Sequence, residues 1–205
     1  GRISAILLGA MASLSMAAHA SEPPKGTGDK VGLQIDDFIG TVRIVRSDVN
    51  SINVVTVNEG ASGIGPVVVE ETGSSVLRVR GMPAPLAMNC VRLNGALSIS
   101  FDDGPAQPIT DFPTIVISVP PSADVKLMLR AGDAEVSETE NLEILAGGCA
   151  NIVAERVTNT LRLTTTGAAR FSVDQARRAD IDASNGGQIR ISNVDRLLSA
   201  CLGHA

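Results

Sequence analysis

Two histidines, three cysteines and a few closely spaced acids are the side chains here with the means to do chemistry. A Ser-His-Asp or Cys-His nucleophile needs a positioned imidazole to take its proton. His19 falls in a stretch expected to be cut away, which leaves His204 alone beside Gly203, where it reads as an exposed turn residue. Cys90, Cys149 and Cys201 are widely separated, without the close ligand spacing that zinc requires. No metal site and no other cofactor is therefore expected. Asp180 and Asp182 sit two apart, on one face of an extended strand. Such a pair could act as acid and nucleophile in glycoside cleavage, or bind calcium. With Arg162 and Arg190 expected at neighbouring outer positions, the plainer reading is a solvated face of mixed ion pairs. Asp36-Asp37, read as preceding a strand, and Asp102-Asp103, read as closing one, are the other acid pairs.

Other chemistries are excluded more simply. Gly60 to Gly65 runs into Pro66 and a valine strand, so it lacks the helix that a phosphate cradle needs. Trp and Tyr are absent, so any sugar contact would be polar and not stacked. The net charge of −5 gives no basic footprint for nucleic acid.

The elements that would position these residues are strands. Thr41 to Arg46, Val76 to Arg80, Ala96 to Phe101 and Thr114 to Val119 alternate apolar and polar, and turn residues close them. No window past residue 30 holds an apolar stripe at helical spacing over three turns; Asn193 to Cys201 comes nearest and is short. The fold class is all-β.

An internal repeat then appears. Shifting the chain by 18 sets Leu161, Leu163, Phe171 and Val173 on Ala179, Ile181, Ile189 and Ile191, with Gly167 on Asn185. A shift of 19 the other way brings Leu142, Ile144, Gly148 and Ile152 under Leu161, Leu163, Gly167 and Phe171. A blurred copy surrounds Val125, Leu127 and Gly132, and another begins at Leu197, Ser199, Cys201 and Gly203. Each copy is strand, turn, strand, and is marginal alone. Stacked copies bury the odd-numbered side chains in one column and leave Arg162, Thr164, Arg170, Asp180, Asp182 and Arg190 outside. This predicts a β-solenoid or β-helix-like roll of about 18 residues per coil over 123–205. A β-sandwich of ordinary hairpins is the alternative. Residues 31–122, with longer spacings and several prolines, are expected to form less regular β coils. The small aromatic share, 2%, suits thin stacked layers with aliphatic cores.

Residues 1–20 have the make-up of a secretory signal peptide. Arg2 precedes an uncharged apolar run, and Ala18-His19-Ala20 fits the small-x-small cleavage pattern. Residues 21–30 form a polar Pro/Gly linker. The chain opens without Met and stops within a repeat copy, which suggests a fragment. Secretion would allow disulfides. Cys201, aligned with Ala183, is expected to point inward, while Cys149 lies in a turn region. Cys90–Cys149 is therefore the first pair to consider, with three small buried thiols as the open alternative.

The alternating strands with Gly punctuation, the stretch Phe112 to Leu127 with its Val119-Pro120-Pro121 step, and the repeats after it resemble bacterial auto-transporter adhesin head domains, secreted adhesin-like proteins. The resemblance spans about 33–205. It implies a secreted or periplasmic envelope location and a β-helix-like fold, and brings no catalytic residues. The expected function is a non-catalytic module acting by surface contact, with an unidentified protein or envelope-glycan surface as partner, or with itself through end-to-end packing of coils. No transmembrane segment is expected. The alternatives are a polysaccharide-active β-helix enzyme using Asp180 and Asp182, and a sensor domain serving a transmembrane partner.

Overall fold

The computed structural model describes residues 30–72, 75–81, 87–184 and 187–202. The signal peptide expected over 1–20, nearly all of the linker, Asn185 and His204 lie outside them. The strands are β1 (Gly32–Arg46), β2 (Asn53–Asn58), β3 (Val68–Thr72), β4 (Val76–Arg80), β5 (Met88–Leu93), β6 (Ala96–Phe101), β7 (Gln107–Pro108), β8 (Thr114–Val119), β9 (Asp124–Thr166), β10 (Arg170–Ser184) and β11 (Gln188–Leu202), with one 3-10 turn at Ile109–Asp111. The chain is all-β, a β-helix-like roll. Its main sheet runs β11-β10-β9-β1-β4-β3, with β8 beside β1 and β2 beside β8.

Alternation along each strand sends every second side chain inward, and the 18- or 19-residue return places like on like. Leu161 pairs with Ala179 and Leu163 with Ile181, in parallel register. Phe171 and Val173 lie between Ile152 and Ala154 on one side and Ile189 and Ile191 on the other. Leu161, Leu163, Val173 and Ala179 are wholly buried. β9 runs through three successive rungs: its first part pairs with β1 and its last part with β10. Across these three rungs, Asn159 Nδ2 donates to Asn141 Oδ1 at 3.0 Å, and Asn141 Nδ2 donates to Asp124 Oδ1 at 2.7 Å. The stacked amides satisfy one another where the chain bends. Gly148 approaches the Gly167 position, as the 19-residue shift expects.

The stack does not begin at residue 123. β1 lies directly on the first rung of β9, from Gly32 on Asp124 to Ile44 on Val136. Its far edge is covered by two separate strands, β4 along Gly32–Asp36 and β8 along Thr41–Arg46, both parallel. The Pro-rich stretch is thus an excursion between a rung and the next in space. Antiparallel β3 and β2 then close the edges of β4 and β8. The blurred copy near Val125 is a full rung, and Gly132 explains why it must be Gly. Gly40 and Gly132 are register partners with φ of +143° and +129°. A Cβ on Gly132 would fall on the backbone oxygen of Gly40, and one on Gly40 would fall on that of Pro113. Only a residue without a side chain lets three rungs meet at this corner.

Residues 87–108 form a separate three-stranded sheet, β5-β6-β7. Asn94 and Gly95 both take positive φ at the β5–β6 hairpin, the backbone of a tight two-residue turn. This sheet packs Leu97 and Ile99 against Ile39, Phe112 and Ala131. Arg92 Nη2 donates to Asp133 Oδ1 at 2.7 Å, and Cys90 and Cys149 form a disulfide that ties the excursion to β9.

Candidate functional site

The polar face of the stack is where outward side chains from successive rungs line up. Register sets Arg78 beside Gln34, Gln34 beside Lys126, and Arg162 beside Asp180, which sits beside Ser199. Lys126 Nζ reaches Glu143 Oε1 at 3.0 Å, which joins two neighbouring rungs of β9. The row therefore alternates in sign: Arg78, Asp36, Lys126, Glu143, Arg162, Asp180. It crosses six rungs, a length of roughly 24 Å at the usual strand spacing.

Three hollows lie along this row and share residues. The largest, about 660 Å³, holds Asp36, Arg78, Arg80 and Lys126; the next, about 470 Å³, holds Gln34, Lys126, Glu143 and Arg162. A third, about 320 Å³, lies over Arg162, Asp180, Asp182 and Ser199. Asp36 is the most enclosed charge among them, at 8% exposure. Its carboxylate accepts from Gln34 Nε2 at 3.0 and 3.1 Å and from Arg78 Nε at 2.6 Å. Asp36-Asp37 does not precede a strand. It lies inside β1, where the pairing with β9 shifts register between Ile35 and Phe38 and Asp37 takes a φ of +48°. A bulge of this kind turns a side chain from its regular face. Nothing in the local spacing shows the bulge, because its cause is the pairing to a distant strand.

Of the acid pair with the means for chemistry, Asp180 has settled partners. Asp180 Oδ2 lies 3.8 Å from Arg162 Nε, and Asp180 Oδ1 accepts a hydrogen bond from the Ser199 hydroxyl. Asp182 is exposed and pairs in register with Thr164 and Cys201. Arg190 is not their neighbour: it pairs with Ser172, on another part of the rung. Cys201 does not point inward with Ala183. β11 carries an extra residue at Leu198, so Leu202 meets Ala183 and Cys201 meets Asp182 on the outer face, where it is a free, exposed thiol. One inserted residue moves every later side chain to the opposite face.

Lys30 donates to Glu140 Oε1 at 3.2 Å and lies 3.8 Å from Asp124 Oδ1. The bond to Glu140, then the charge of Asp124, hold its ammonium pKa above the usual 10.5. Among the described residues, no three of His, Cys, Asp and Glu converge to hold a metal ion, and no helix is long and apolar enough to cross a membrane. The chain matches no family model, no curated protein and no solved structure.

Proposed function

We propose that the chain is a secreted or periplasmic, non-catalytic module of an adhesin-like or envelope scaffold protein, and that it works by contact along the polar face. The observation that carries this reading is the row from Arg78 to Asp180, charges of alternating sign fixed rung by rung on a buried aliphatic column. A stiff ladder of hydrogen-bonding groups suits an extended polymer, and an envelope glycan offers hydroxyl and charged groups at regular intervals. Strand-borne side chains are held more rigidly than loop-borne ones, which lowers the ordering cost of binding. Asp180 and Asp182, the acids of the enzymatic alternative, lie in a shallow hollow, with Asp180 already engaged by Arg162 and Ser199.

The test uses immobilised envelope glycans and an assay for new reducing or unsaturated ends. Saturable binding that falls about tenfold in a Lys126→Gln, Arg162→Gln double variant, without new ends, is the expected result. Turnover of an envelope or plant polysaccharide, abolished by Asp180→Asn and Asp182→Asn, would replace this reading with the enzymatic one.

A further inference from the structure

The largest hollow on the polar face is built around an irregularity in β1. Ile35 pairs with Leu127 and Phe38 with Leu129, so Asp36 and Asp37 together oppose the single residue Met128. Two residues against one is a β-bulge, a device that re-aims side chains and is common beside functional sites. Here it is held from two sides. Asp37 takes a φ of +48°, and Gly81 N donates to the Asp36 backbone oxygen at 3.1 Å. A Cβ on Gly81 would lie 2.8 Å from the Asp37 backbone oxygen, so only glycine lets the end of β4 press this closely on the bulge. Backbone strain persists where the surrounding structure holds it, and such places cluster at binding sites.

The bulge sets Asp36 in the wall of the hollow, with Gln34 and Arg78 as its partners. Arg78 bonds to it through Nε, and among the described residues no hydrogen bond occupies the two terminal amino groups of Arg78. A nearly buried carboxylate thus fixes a guanidinium whose outer donors are unspent. The other two cations of the hollow are already matched: Arg80 bonds to Glu70, and Lys126 lies 3.0 Å from Glu143. Asp37 is exposed and, among the described residues, in no ion pair. In place of an aromatic ring, Pro66, Val68 and Met128 supply an aliphatic wall.

This balance decides the class of ligand. An acidic ligand would meet Asp37, the one unmatched charge of the lining, and would have to compete with Glu70 or Glu143 for a cation. A cationic ligand would gain one exposed pairing, which water and salt weaken. A neutral sugar needs no counter-charge. Its hydroxyls accept from the Arg78 amino groups and donate to Asp37, and its C–H face rests on the aliphatic wall. The volume, about 660 Å³, is within the usual range for small-molecule sites.

We infer that this hollow is a subsite for a neutral hexopyranose unit of a glycan, held by Arg78 and Asp37 against Val68 and Met128. The subsite presupposes the glycan contact proposed above and adds its position and the kind of sugar it takes.

The test is calorimetric titration of the full chain with neutral disaccharides (cellobiose, lactose and diacetylchitobiose). Digalacturonic acid and the deacetylated chitobiose serve as the acidic and cationic counterparts. At least one neutral disaccharide should bind, with an affinity that changes less than about twofold between about 50 and 500 mM salt. Val68 is exposed on the edge strand β3, so Val68→Trp should fold, fill the hollow and abolish binding. Arg78→Lys keeps a cation on Asp36 but loses the planar fork, and should weaken binding at least about tenfold. Unchanged far-ultraviolet circular dichroism checks the fold of both. Binding that either folded variant leaves unchanged would overturn the subsite, as would a preference for the acidic or cationic disaccharide that falls steeply with salt. Long glycans bound without any disaccharide binding would overturn the subsite alone. No glycan bound in either assay would overturn it together with the contact reading.

Discussion

Two regions of the described stack differ in how their rungs are covered. At one end the rung above β1 is shared by β4 and β8, and each is then closed by an antiparallel neighbour. Ile115, Ile117 and Val79 are wholly buried there. In β11, the last described rung, equally apolar inward residues such as Val194, Leu197 and Leu202 are 38, 53 and 62% exposed. Burial at a rung thus depends on having a rung on both sides and not on residue type. A fully covered Leu gains about 1.5–3 kcal/mol from leaving water; a half-covered one gains correspondingly less.

The largest expected contrast comes from one substitution made at both ends. Leu127→Ala, in a rung covered on both sides, should cost about 2–5 kcal/mol through lost burial and the cavity left behind. Leu202→Ala, on the last described rung, should cost about 0.5 kcal/mol or less. Urea unfolding in dilute protein measures both, and equal costs would break the comparison. Second is the staple of the excursion that leads to the capped end. The Cys90–Cys149 bridge spans 59 residues. Chain entropy alone puts its contribution near 4 kcal/mol, and about 2–4 is the usual yield. Cys90→Ser should lose that amount and raise amide exchange in β5–β7, with β10 and β11 unaffected.

The smallest effect concerns Lys30, which bridges toward β9 from beside β1. Its pKa is raised in the folded state, so its contribution is fully present below the unfolded value of 10.5 and is lost as pH rises through the folded value. Melting temperature should therefore fall slightly more steeply above about pH 10.5 in the wild type than in Glu140→Gln. Because Lys30 is exposed to solvent, the difference should shrink as salt is added.

Much of the second half was legible from spacing. The pairs 161/179, 163/181, 171/189 and 173/191 come from periodicity and are register partners in the sheet. The outward positions Arg162, Asp180 and Asp182 come from the same alternation. The site was legible only in part. The row depends on Arg78, Gln34 and Asp36 from strands far away in sequence, and an eye kept on period 18 passes over them.

The strand content, the length of the repeat and the inward faces of 142–191 were settled by the sequence itself, because local alternation and a fixed return dictate them. Only the tertiary structure decided that residue 32 rests on residue 124, that β4 and β8 share one rung, and that Cys201 points out beside Asp182. The physical reason is that strand pairing is specified between chains of backbone groups, and these can come from any distance along the polypeptide. A single extra residue at Leu198 reverses the side chains after it without altering the apolar pattern before it, whereas near Asp37 the register shifts and is restored by Ile39.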